Sequence, residues 1–204
     1  MGVFTHWPNR ITAIRFVGAM VLFGIFAWLA EVDESGVAEH RPLITVAFWL
    51  FVLVAATDFL DGYLARRDKH VTAFGRIADP FTDKVLILGA LIFQATMPWS
   101  RPWIPAWVVV VILAREFLVT GIRGYVESVG GEFPADNFGK VKMIVQCCAV
   151  GAIIWLRAYD WPEAWFEFWS GLTHVLVWAT VLTTLGSGLT YVLKTQRVLA
   201  EANR

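Results

Sequence analysis

Residues 57–84, TDFLDGYLARRDKHVTAFGRIADPFTDK, place Asp58, Asp61, Asp79 and Asp83 in a chain otherwise dominated by long apolar runs. Asp58 and Asp61 are three residues apart, and Asp79 and Asp83 are four apart. On helices, each pair shares a face, one turn apart. Two such pairs on neighbouring helices bring four carboxylates to one point. Four ionised carboxylates do not stay together beside a membrane without positive charge among them. A divalent metal ion is the obvious source, because hard cations take oxygen ligands.

The neighbours of the aspartates add to this chemistry. Gly62 lets a ligand approach the backbone closely, and Ala65 leaves room along the helix. Arg66 lies four residues after Gly62, on the same face, and can clamp a phosphate. Metal and arginine beside a phosphate are recurring equipment of phosphoryl transfer. Three uses compete: a metal-dependent transferase acting on a phosphate-containing lipid, a transporter lined by carboxylates, and a structural site pairing aspartates with arginines. A transporter accounts for the carboxylates but not for Gly62 and Arg66 in register with them. Ion pairing accounts for Arg66 but leaves four acids with too few local partners. The transferase fits best.

The elements that must position these residues are membrane helices. Hydrophobic residues make up 57% of the chain and charged residues 17%, and eleven residues are Trp. Apolar runs of about 18 or more residues recur, the mark of transmembrane helices. A soluble bundle would alternate polar and apolar faces, and most of these runs do not. The sequence predicts an all-α, polytopic membrane protein with six transmembrane helices in one domain, 1–204. The helices are expected over about 11–30, 42–60, 79–97, 103–125, 138–156 and 169–193. Residues 31–41 read as an acidic loop, 62–76 as a basic connection, and Asp79 as a residue near the cap of the third helix, with Pro80 early inside it. The first apolar run lacks a small-residue cleavage site and reads as a retained helix. Cys147 and Cys148 are adjacent, so neither a disulfide nor metal ligation is expected.

Lys and Arg equal Asp and Glu in number, so net charge singles out no partner and gives no sign of nucleic-acid binding. The distribution of charge is more telling. With six spans and the amino terminus inside, fourteen of the seventeen Lys and Arg fall on inner segments. Arg41, Arg101 and Arg157 alone fall on outer loops. The positive-inside rule therefore predicts that both termini and the aspartate face are cytoplasmic.

The pattern DxxDGxxAR, eight residues, then GxxxDxxxD stands here as Asp58, Asp61, Gly62, Ala65, Arg66, Gly75, Asp79 and Asp83. It resembles the signature of the CDP-alcohol phosphotransferase family at every position. The resemblance implies a six-helix fold, a homodimer in the inner membrane, and Mg²⁺ or Mn²⁺ in a two-metal site at the four aspartates. It also implies a cytidine diphosphate lipid donor contacted by Gly62, Arg66 and Thr72, with Gly75 giving the nucleotide room, and it implies that Asp83 is the general base. A carboxylate not fully engaged by metal can accept the proton of an attacking hydroxyl.

Outside the signature, PNRITAIR at 8–15, AREFLVTGIR at 114–123 and GKVK at 139–142 look like the bacterial phosphatidylglycerophosphate synthases within that family. That likeness implies CDP-diacylglycerol as donor and glycerol 3-phosphate, an anion, as acceptor. Phosphatidylglycerol, inositol phosphate and serine are the alternative acceptors. A second cationic site is then required. Arg115 and Arg123 lie within about a quarter turn of one helix face, and Lys140 and Lys142 begin the next helix. With Arg15 they can hold an acceptor phosphate. Any one of them alone reads by default as a positive-inside anchor, but Arg115, well within an apolar run and next to Glu116, reads as a site residue rather than an anchor.

Overall fold

The structure is a computed structural model. It describes the backbone of residues 7–68, 73–128 and 137–202, and the side chains of 10–57, 81–82, 84–128 and 138–195. Among these residues there are six α-helices: α1 (Trp7–Leu29), α2 (Val37–Asp68), α3 (Ala73–Thr96), α4 (Ala106–Ser128), α5 (Asn137–Ala158) and α6 (Glu163–Ala202). A single 3₁₀ turn, Glu34–Gly36, joins α1 to α2. The chain is an all-helical, polytopic membrane protein.

Among the described residues, four stretches are long and apolar enough to cross a bilayer: Arg10–Leu29, Glu34–Thr57, Phe138–Ala158 and Glu163–Thr195. The described apolar part of α3, Lys84–Thr96, is shorter. In α4 every stretch of bilayer-spanning length contains Arg115, Glu116 and Arg123. At about 1.5 Å per residue, a 23-residue helix such as α4 is still about 35 Å long, enough for a hydrocarbon core of about 30 Å.

The surface is inside-out relative to a soluble bundle. Trp28, Leu53, Val110, Phe117, Leu182 and Leu189 are all more than 60% exposed. Arg15, Gln94, Arg115, Glu116 and Lys142 are buried. Lipid makes that arrangement favourable: apolar side chains cost nothing against acyl chains, and charged ones turn to the bundle interior.

Contacts between distant segments gather at two ends. At one end, Trp99 Nε1 donates to the Leu29 carbonyl (3.1 Å), and Thr45 Oγ1 donates to the Ala158 carbonyl (2.8 Å). Arg41 pairs with Asp160 (2.8 Å), and Arg157 pairs with Glu34. Trp103 Nε1 donates to Ser170 Oγ (2.9 Å). The α1–α2, α3–α4 and α5–α6 connections therefore meet on one side. Trp155, Tyr159, Trp161 and Trp169 cluster there with their rings tilted against one another (Trp155–Tyr159 centroids 4.5 Å apart), and aromatic residues are enriched at membrane interfaces. The opposite end receives the carboxyl-terminal part of α2, the start of α3 and the charged half of α4.

Several boundaries differ from the sequence expectation. α2 begins five residues before Pro42, which lies inside the helix and forfeits one hydrogen bond there. It also runs on through residues 62–68, because Leu, Ala and Arg keep high helix propensity after the apolar run ends. α3 begins at Ala73, so Asp79 lies inside the helix rather than near its cap. α6 begins at Glu163, not at Trp169. A change in polarity marks where lipid ends, and helix persists past it.

Candidate active site

The backbone sets the aspartates on two helices that touch. Asp58, Asp61, Gly62, Ala65 and Arg66 lie on α2, in the polar extension beyond its apolar stretch. Gly75, Asp79 and Asp83 lie in the first half of α3. The side chains of these residues, and Thr72 altogether, lie outside the described residues. α1 packs against both helices. Its Arg15 is only 2% exposed, so it faces the bundle interior rather than reaching out to the interface.

A second group assembles from α4, α5 and α6. Arg115 Nη1 donates to Glu116 Oε1 (2.8 Å), and Lys142 Nζ donates to the same oxygen. Arg115 Nε donates to Ser187 Oγ (3.1 Å), and its guanidinium stands over the Tyr191 ring, 5.6 Å from the centroid. Arg123 Nη2 donates to Tyr191 Oη (2.9 Å). Arg115, Glu116, Lys142, Ser187 and Tyr191 are all buried.

α6 is shaped to admit this group. A Cβ on Gly188 would lie 3.3 Å from Arg115 Cγ, and one on Gly186 would lie 3.3 Å from the Phe138 ring. The Gly-Ser-Gly at 186–188 lets the arginine lie directly against the helix. Lys84 connects the two groups: it follows Asp83 in sequence, and its Nζ donates to Thr120 Oγ1 (2.7 Å), one helical turn beyond Glu116.

Among the described residues no three His, Cys, Asp or Glu side chains form a metal-holding group, and the four aspartates are not among those side chains. As a donor set, four carboxylates from two touching helices supply oxygen alone. That suits Mg²⁺ or Mn²⁺ and does not suit thiophilic metals. Among the described residues, Cys147 and Cys148 form no disulfide.

The family model for CDP-alcohol phosphatidyltransferase matches residues 5–186. The chain belongs to the CDP-alcohol phosphatidyltransferase family. Three relatives span nearly all of it. A CDP-diacylglycerol–glycerol-3-phosphate 3-phosphatidyltransferase of Bacillus subtilis is 34% identical over 200 residues, covering 96% of this chain and 98% of the relative. The protein of the same name in Rickettsia bellii is 39% identical over 191 residues, covering 94% and 96%. A probable phosphatidylglycerophosphate synthase of Mycobacterium tuberculosis is 36% identical over 194 residues, covering 93% and 81%.

Within this phosphatidyltransferase, the sequence singles out Arg115, Arg123, Lys140, Lys142 and Arg15 as a cationic group. The structure joins Arg115, Lys142 and Arg123 through Glu116 and Tyr191. Lys140 is exposed, and Arg15 sits buried on α1. Glu116, Ser187, Tyr191 and Lys84 are the residues that sequence spacing did not bring into the site. The one local signal for them is the Gly-Ser-Gly within an apolar helix, a place where another chain segment approaches closely.

Proposed function

We propose that the protein transfers the phosphatidyl group of CDP-diacylglycerol to sn-glycerol 3-phosphate, forming phosphatidylglycerophosphate and releasing CMP. The observation that carries the acceptor assignment is the buried cationic group Arg115–Lys142, at the end of the bundle that also receives the aspartate stretches. One carboxylate shared by two buried cations leaves net positive charge, which suits an anionic acceptor better than serine. The names of the relatives point the same way.

Asp58, Asp61, Asp79 and Asp83 would hold Mg²⁺ or Mn²⁺, in a two-metal arrangement. Bound metal would neutralise charge on the diphosphate and on departing CMP. Gly62 and Ala65 let the diphosphate lie along α2, Arg66 clamps it, and Thr72 and Gly75 border the nucleotide. Arg115, Lys142 and Arg123 receive the acceptor phosphate. Asp83 takes the proton of the terminal hydroxyl. The hydroxyl oxygen then forms a bond to the lipid-side phosphorus as the bond from that phosphorus to the CMP oxygen breaks. The active form is a homodimer in the inner membrane, with six spans and the site facing the cytoplasm.

CMP release is to be measured with purified protein, CDP-diacylglycerol and a panel of alcohols: glycerol 3-phosphate, serine, inositol phosphate and phosphatidylglycerol. Turnover is expected with glycerol 3-phosphate alone, lost on adding chelator and restored by Mg²⁺ or Mn²⁺. Asp83→Asn is expected to abolish turnover while CDP-diacylglycerol still binds. Chelator-insensitive turnover sinks the metal assignment, full activity in Asp83→Asn sinks the base, and preference for another alcohol sinks the acceptor.

A further inference from the structure

Tyr191 has no part in the reaction proposed above, yet two of the proposed acceptor arginines converge on it. It is 3% exposed on α6, and its hydroxyl accepts from Arg123 while its ring lies under Arg115. The two arginines are eight residues apart on α4, so their backbones are separated by about 12 Å along the helix axis. One aromatic side chain draws both guanidinium heads toward a single place.

The chemistry of that side chain matters more than its size. Among the described residues one carboxylate, Glu116, pairs with Arg115 and Lys142 at this end. Arg123 is held by a phenol instead. A carboxylate there would orient Arg123 and also cancel its charge. A phenol orients it through a hydrogen bond and leaves the charge available to an anion. The ring face attracts Arg115 through its quadrupole and likewise cancels no full charge. Ser187, one turn earlier on the same face of α6, acts in the same way on Arg115 Nε. The family match ends at residue 186, so this neutral clamp follows the matched segment.

We propose that Tyr191 is a positioning residue that fixes Arg115 and Arg123 relative to one another and thereby sets the affinity for a phosphorylated acceptor. This rests on the glycerol 3-phosphate reading above.

The test is steady-state CMP release by full-length protein in CDP-diacylglycerol micelles, with glycerol 3-phosphate varied. Tyr191→Phe keeps the ring and loses the hydroxyl. It is expected to raise KM for glycerol 3-phosphate about tenfold, the scale of one hydrogen bond to a charged group, with KM for CDP-diacylglycerol unchanged. Arg123→Ala is expected to raise the same KM, and the double variant Tyr191→Phe/Arg123→Ala to match Arg123→Ala alone, since the hydroxyl acts through that arginine. Tyr191→Trp, which keeps a ring and offers Arg123 no acceptor, is expected to repeat the Phe result and serves if the Phe variant melts early in detergent. An unchanged acceptor KM, additive effects in the double variant, or an equal rise in the donor KM would each overturn the proposal. Wild-type protein that releases no CMP with glycerol 3-phosphate would overturn the functional reading itself. Wild-type turnover with an indifferent Tyr191→Phe overturns this inference alone.

Discussion

Glu116 carries the charge balance of the α4–α6 group. Its Oε1 accepts from both Arg115 and Lys142, and all three side chains are about nine-tenths buried. Glu116→Gln preserves the shape and leaves two cations buried side by side. Removing one partner from a buried ion pair costs about 3–5 kcal/mol. The expected result is a marked drop in melting temperature in detergent. The Arg157–Glu34 pair at the other end is the internal control, because Glu34 is 64% exposed. Glu34→Gln is expected to cost at most about 1 kcal/mol. Equal melting temperatures for the two variants would contradict this account. Residues at this scale were unevenly legible. Asp58, Asp61, Asp79 and Asp83 stand at fixed short spacing within 26 residues, so the chain itself displays them. Glu116 meets Lys142 across 26 residues, and Arg115 meets Ser187 across 72. Spacing along the chain holds no record of a contact that only helix packing creates.

At the scale of elements, α1 braces the two helices that carry the aspartates. A Cβ on Gly18 would lie 2.8 Å from Val54 Cγ2 of α2, and one on Gly89 of α3 would overlap the Phe23 ring. α1 therefore approaches α2 and α3 through opposite partners: its own glycine against α2, and its phenylalanine against a glycine of α3. Small residues at such crossings let membrane helices pack closely. Gly89→Ala is expected to destabilise by about 1–3 kcal/mol through overpacking. It should also reduce CMP release, since α3 carries Asp79 and Asp83. Gly24→Ala, with no atom within 4 Å of the added Cβ, is expected to be neutral or to stabilise by up to about 1 kcal/mol through helix propensity. Thermal unfolding of both variants in one detergent checks the contrast, and a harmless Gly89→Ala would refute the brace. The helices themselves were legible from apolar runs. Their ends were not, because residues 62–68 and 73–79 interrupt the apolar runs with glycine and charged residues yet are helical. Hydropathy reports the solvent around a helix, not the hydrogen bonds within it.

At the scale of the whole molecule, the two ends differ in what happens to their cations. At the end where the α1–α2, α3–α4 and α5–α6 connections meet, two of the three arginines are already paired, Arg41 with Asp160 and Arg157 with Glu34. By sequence, the remaining fourteen Lys and Arg fall on the segments assigned to the opposite side. Counted over the loops, that Lys and Arg bias supports the proposal that this second end faces the cytoplasm. An anionic, water-soluble acceptor would then reach Arg115, Lys142 and Arg123 from the compartment the site faces, while the lipid donor enters from the bilayer. A reporter enzyme active only outside the cytoplasm tests the orientation. Fused after Arg204 it is expected to be silent, and inserted between Asp160 and Trp161 it is expected to be active. The reverse pattern would invert the bundle and put the aspartate stretches outside. Activity at both positions would mean an odd number of crossings between residue 160 and the carboxyl terminus is wrong, and with it the assignment of α6 as one span.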